Sequence, residues 1–222
     1  MVSIRVQALI NFAIIVLAPV IVLLAFLTYG GPRTLGEVDL YALNRPTTFT
    51  FVNDKGDVLG HSGAITGERL PLSDMPVYLP AAFLAMEDRR FFHHGSADIW
   101  GIIRAFRTNF EAGHTVAGGS TITQQTAKML FLNSERTLSR KLQELAAAWT
   151  LEHNFTKEQI LALYLNRVYL GAGAFGVDAA ARQYFGKSAR DVTLSEAAML
   201  AALAKAPSGF SPRHRSEEHT SE

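Results

Sequence analysis

Four groups of residues in this chain have the types and spacing to do chemistry, and each also has a plain structural explanation. The first is Glu87-Asp88-Arg89-Arg90-Phe91-Phe92-His93-His94-Gly95-Ser96. Two adjacent carboxylates beside two arginines and two histidines form a dense ionisable group, or a charged helix end with local ion pairs. The second runs from Gly118-Gly119 through Ser120, Thr121, Gln124 and Gln125 to Lys128. Glycines let a ligand approach the backbone, and a helix N-terminus favours an anion; an ordinary capped helix gives the same pattern. In the third, Arg136, Arg140 and Glu144 fall at i, i+4 and i+8, with Lys141 alongside. Like charges one turn apart cost stability unless something anionic answers them, so the stripe is a diphosphate site or a salt-bridge ladder. The fourth, Lys157 to Asn166, is an aliphatic helix whose last residue, Asn166, is either a cap or a site residue.

Composition removes several alternatives. Lys and Arg total 21 against 20 for Asp and Glu in 222 residues, without the basic excess that nucleic acid demands. Cysteine is absent, which excludes disulfides, thiolate zinc sites and a thiol nucleophile. His93, His94, His114 and His153 lack the H-E-x-x-H spacing of a zinc helix, so no metal site is read.

The elements that must position these groups are mostly helical. Thr121-x-x-Gln124, Thr156-x-x-Gln159 and Thr193-x-x-Glu196 fit capping boxes, and Leu138, Leu142, Leu145 and Trp149 recur at helical spacing. Before them, Thr48 to Val52 alternates, Asn53 to Gly56 supplies turn chemistry and Asp57 to Leu59 resumes, which predicts a β-hairpin. Residues 60–74 read as loop. At the N-terminus the run Ala8 to Tyr29 is almost wholly apolar. About 20 such residues span a bilayer, whereas a signal-peptide core is shorter, about 7–15. The domain expectation is therefore a cytoplasmic tip and transmembrane anchor at 1–34 and a juxtamembrane connector with the hairpin at 35–74. A catalytic domain follows at 75–212. Residues 213–222 contain nothing that could pack and are expected to be a disordered, non-native tail.

Taken in order, the four groups resemble the signature motifs of family 51 glycosyltransferases, the peptidoglycan glycosyltransferases: E-D-x-x-F-x-x-H, G-x-S-T-[IL]-T-Q-Q, R-K-x-x-E and K-x-x-I-L-x-x-Y-L-N. They stand at Glu87–His94, Gly118–Gln125, Arg140–Glu144 and Lys157–Asn166, and the resemblance covers about residues 47–212. Anchor and hairpin together look like the start of a class A penicillin-binding protein. Two departures are visible. Ser96 stands where the family has a glycine after the histidine motif, and the arginine-bearing helix that follows the segment Ala206-Pro207-Ser208 is missing, so the catalytic domain reads as truncated.

The resemblance implies a mainly α, lysozyme-like domain at a bacterial inner membrane, single-pass, with its catalytic part on the periplasmic side. It implies polymerisation of lipid II into β-1,4 glycan with inversion and release of undecaprenyl diphosphate. Glu87 would be the general base and Glu144 would assist at the diphosphate. Lys128, Arg136, Arg140 and Lys141 would hold that diphosphate; Asp88, Arg90, Ser120, Thr121, Gln124, Gln125 and Asn166 would complete the substrate site. No cofactor is required, with a divalent cation at the diphosphate as an optional assistant. The implied partners are lipid II, the growing glycan, the membrane and proteins of the divisome or elongasome. A lysozyme-like muramidase and an inactive membrane scaffold are the rival readings.

Overall fold

The computed structural model describes residues 39–43, 47–114, 119–132 and 137–205. The expected anchor, Arg136 and the tail lie outside the described residues. Among these, seven α-helices and two two-stranded sheets make a mostly helical body.

The hairpin forms where the turn residues predict it. Strand β1 (Thr48–Val52) pairs antiparallel with β2 (Val58–Gly63). Asn53 Oδ1 accepts from the Lys55 and Asp57 amides at 2.9 and 2.8 Å, and Gly56 takes the left-handed φ of 85° that closes the turn. Phe51 pairs with Gly60 and Val52 with Val58, so Leu59 is the extra residue of a bulge. The stretch read as loop from residue 60 is thus partly strand, and two further residues, β3 (Ile65–Thr66), pair in parallel with β4 (Ala174–Phe175). That pairing joins positions over a hundred residues apart, which local turn chemistry cannot foresee.

The helices are α1 (Tyr78–Glu87), α2 (Ile99–Ala112), α3 (Ile122–Phe131), α4 (Leu138–Asn154), α5 (Lys157–Leu165), α6 (Val177–Phe185) and α7 (Leu194–Lys205). α1 packs on α7, and α3 packs on α4 and α5. Phe83, Leu79, Leu151, Ile160, Tyr164 and Leu200 are fully enclosed in the shared core. Thr156 and Gln159 form the complete capping box at α5, and Thr193 and Glu196 exchange reciprocal bonds at α7. At α3 only half of the box forms: Thr121 caps the Gln124 amide, while the Gln124 side chain is diverted to the Ser96 carbonyl at 2.8 Å.

The apolar stripe of α4 does not become its buried face. Leu142 and Trp149 are exposed, whereas Glu144, Ala146, Ala147, Ala148 and Leu151 are buried. Small alanines let α4 approach its neighbours closely, and a carboxylate goes under with them.

Candidate functional site

Glu87 is the last residue of α1, so its side chain emerges where the helix stops. It opens onto a cavity of about 500 Å³ shared with Ser120, Gln125, Lys128, Arg140, Lys141, Glu144 and Lys205. Gln125, on α3, donates its amide to Glu87 Oε2 at 2.8 Å. Across the cavity Glu144 is only 3% exposed. One of its oxygens accepts from Arg140 at 2.9 Å and the other from the Lys141 ammonium. Charge-assisted bonds of this kind make burying a carboxylate tolerable.

The Lys141 ammonium is also held by Ser120 Oγ and Gln124 Oε1, both at 3.1 Å. Lys128 and Lys205 differ from it. Both are exposed, both line the cavity, and neither has an ion pair or hydrogen bond among the described residues. Four cations therefore face two carboxylates, and two of the cations are uncommitted. Lys205, at the end of α7, was not singled out in the sequence, where it reads as a solvated helix terminus.

Asp88 and His94 serve as a brace rather than lining this cavity. Asp88 Oδ1 meets His94 Nε2 at 2.8 Å, and its Oδ2 accepts the Ile122 amide at 3.1 Å. This ties the turn after α1 to the N-terminus of α3. Thr121 Oγ1 and Gln124 Nε2 both donate to the Ser96 carbonyl, at 3.1 and 2.8 Å. Only the Ser96 backbone is used, so serine in place of glycine leaves the contact intact. Asp88, His94 and Asp98 bring three ligand atoms within 4.8 Å of one another. Their lone pairs are already engaged, however, since Asp98 lies 3.6 Å from Arg90 and 3.8 Å from Arg104.

Arg90 borders a second cavity of about 250 Å³, with Arg89, Arg104, Asp98 and Thr121. Glu87 and Ser120 line both cavities, so the carboxylate at the end of α1 stands between two basic hollows. Asn166 is not brought to either. Its amide accepts from the Leu70 N–H at 2.9 Å and donates to the carbonyls of Leu70 and Ala162, both at 2.8 Å. It borders a separate hollow of about 360 Å³ beside Tyr169 and Phe175. Lys157, from the same segment, bonds Glu152 at 2.7 Å and sits over the Phe91 ring at 4.3 Å.

One buried carboxylate elsewhere has a clear electrostatic state. Burial alone would push the Asp178 carboxyl up. Bonds from Arg182, the Ala189 and Glu68 amides and the Ser188 hydroxyl outweigh this and hold it below the usual range.

Comparison with known proteins identifies the family. The family model described as transglycosylase matches residues 55–222. Penicillin-binding protein 1A of Neisseria gonorrhoeae is 42% identical over 185 residues, which are 83% of this chain and 23% of that protein. The protein of the same name from Aquifex aeolicus is 48% identical over 163 residues, 73% of this chain and 22% of its own length. A crystal structure of penicillin-binding protein 1A from Haemophilus influenzae is 27% identical and covers 79% of this chain and 17% of its own, with a TM-score of 0.39. The chain spans less than a quarter of the length of the curated relatives it matches.

Proposed function

The chain belongs to the transglycosylase family, and we propose that it polymerises lipid II, a lipid-linked disaccharide diphosphate, into glycan strands for the bacterial cell wall. The observation that carries the reading is the cavity in which Glu87 opposes a buried Glu144 clamped by Arg140 and Lys141, with Lys128 and Lys205 free at its rim.

On this reading the 4-hydroxyl of the incoming acceptor approaches Glu87 from the hollow bordered by Arg90 and Arg104. Glu87 takes its proton as the oxygen attacks the anomeric carbon of the growing strand. The new C–O bond forms on the face opposite the α-linked diphosphate. That diphosphate leaves with the bonding electron pair, giving inversion to a β-1,4 linkage. Charge grows on the departing oxygen, and preorganised cations stabilise it most in the transition state. Both Glu144 oxygens are engaged by Arg140 and Lys141, which supports a role in holding these cations rather than in binding a divalent ion. A muramidase would use water on neutral glycan and has no use for this basic cavity.

Lipid-borne substrates require a membrane location, and two features support one. The apolar run Ala8 to Tyr29 is long enough to span a bilayer. The helix α2 exposes Ile99, Trp100, Ile103 and Phe110 next to Arg104 and Arg107, a pattern suited to lying at a lipid surface. The mostly helical body supports the lysozyme-like arrangement, and the family resemblance supports placing the domain on the outer side of the inner membrane.

The test is incubation of the detergent-solubilised chain with labelled lipid II, with Glu87→Gln in parallel. A ladder of glycan products from the parent and none from the variant is expected. Equal ladders from both would remove Glu87 from the role of base, and a product of hydrolysed finished glycan would favour the muramidase.

A further inference from the structure

Beneath the proposed base lies a polar atom that the fold leaves unanswered. Tyr164, on α5, is 0% exposed, and its hydroxyl has no hydrogen-bond partner. An unpaired buried hydroxyl costs about 1–3 kcal/mol, and such groups are rare enough in native proteins to require a reason. Packing alone does not supply one, because phenylalanine would fill the same space without the penalty.

The surroundings of the ring suggest the reason. Tyr164 meets Phe83 edge-on, with ring centroids 6.2 Å apart. Phe83 lies one turn before Glu87, on the same side of α1. Burial pushes the Tyr164 phenol up, and the negative charge of Glu87 pushes it further, so the hydroxyl keeps its proton and lies within the field of that carboxylate. Glu87 itself spends only Oε2, on Gln125; among the described residues Oε1 accepts nothing. A donor without an acceptor thus lies near an acceptor without a donor.

We propose that Tyr164 is a positioning residue for the base, donating its hydroxyl to the Glu87 carboxylate through one enclosed water. Gln125 on one oxygen and Tyr164 on the other fix the carboxylate plane, so the lone pair that takes the acceptor's proton points into the site. A base free to rotate spends less time aligned, and alignment is a large share of what an active site contributes. The assignment rests on the reading of Glu87 as base.

The experiment is Tyr164→Phe in the full chain. With labelled lipid II, kcat falls about 10-fold or more while KM stays within about twofold. A purely structural tyrosine would leave the rate of each folded molecule unchanged. Unchanged kcat would overturn the proposal. A second measurement needs no turnover: urea unfolding of Tyr164→Phe, Glu87→Gln and the double variant. If the hydroxyl serves the carboxylate, the effect of Tyr164→Phe on the midpoint differs between the parent and the Glu87→Gln background. Additive midpoints would overturn the contact. An inactive parent chain would count against the polymerase reading, and this cycle would still decide whether Tyr164 engages Glu87.

Discussion

Lys128 separates the energetic roles of the site most cleanly, because it does nothing for the fold. Its ammonium is exposed and has no ion pair among the described residues, yet it lines the cavity with Glu87 and Glu144. Lys128→Ala should therefore shift stability by no more than about 0.5 kcal/mol, as expected for a surface position without partners. Its effect on catalysis is set by one charge-assisted contact to a diphosphate oxygen, worth about 1.5–3 kcal/mol. That converts to a rate loss of about 10- to 150-fold. The loss should fall mainly on kcat, since the contact strengthens as the bridging oxygen gains charge. Initial rates of polymerisation against lipid II concentration, with thermal unfolding alongside, measure both quantities. Lys55→Ala, at the exposed turn of the hairpin, controls for the loss of a lysine anywhere and should leave the rate unchanged. Less than about threefold loss for Lys128→Ala, or an equal loss for Lys55→Ala, would refute the placement of the diphosphate.

Three other perturbations follow from the same geometry. Asn166→Ala removes two hydrogen bonds to the backbone at Leu70 and one to the Ala162 carbonyl of α5 and should cost about 2–3 kcal/mol in urea unfolding; each folded molecule should keep its activity. For Asp178, the folded carboxyl sits below its usual range, so its contribution to stability is complete above the unfolded value of about 4 and is lost as pH falls below it. Asp178→Asn should be less stable at neutral pH and flatter below about pH 4 in an acid-unfolding series, and a parallel loss of stability with acid in parent and variant would refute this. Trp100→Ser with Ile103→Ser should weaken sedimentation with anionic liposomes without changing the unfolding midpoint, because both side chains are exposed on α2.

What the sequence revealed depended on how far apart the interacting residues lie. Caps at Thr121, Thr156 and Thr193 act over three residues, and the Asn53–Gly56 turn acts over four, so local patterns expose them. The co-location of Glu87 and Glu144 spans three helices, and only the resemblance of four ordered motifs pointed to it. Asn166 was legible as either cap or site residue, and its partner at Leu70 is 96 residues away. The stripe on α4 revealed the helix but not its buried face, because Leu142 and Trp149 are exposed while the alanines beside Glu144 make the closer approach. Lys205 carries no local signal, and Tyr164 is visible only as the tyrosine of the fourth motif, without a role. One resembles a helix end and the other a core aromatic, and their meaning comes from what stands opposite them.

The division of the cations into two kinds bears on how a polymerase of this sort could turn over. Arg140 and Lys141 are locked to Glu144, and Lys141 is held further by Ser120 and Gln124. Their positions do not depend on substrate, so they can stabilise a developing diphosphate without reorganising at the moment of reaction. Had all four lysines and arginines been free, the cavity would bind the spent lipid diphosphate most tightly of all, and release would limit each cycle. With Glu144 drawing off part of the positive charge, the attraction that remains comes largely from Lys128 and Lys205, whose side chains are exposed and untethered. These can close on the diphosphate as it forms and let it go afterwards. Removing the Glu144 charge should then slow product release as well as chemistry, so a burst followed by a slower steady state is the expected kinetic signature of Glu144→Gln. A variant that loses rate without any burst would place the role of Glu144 in the bond-breaking step alone.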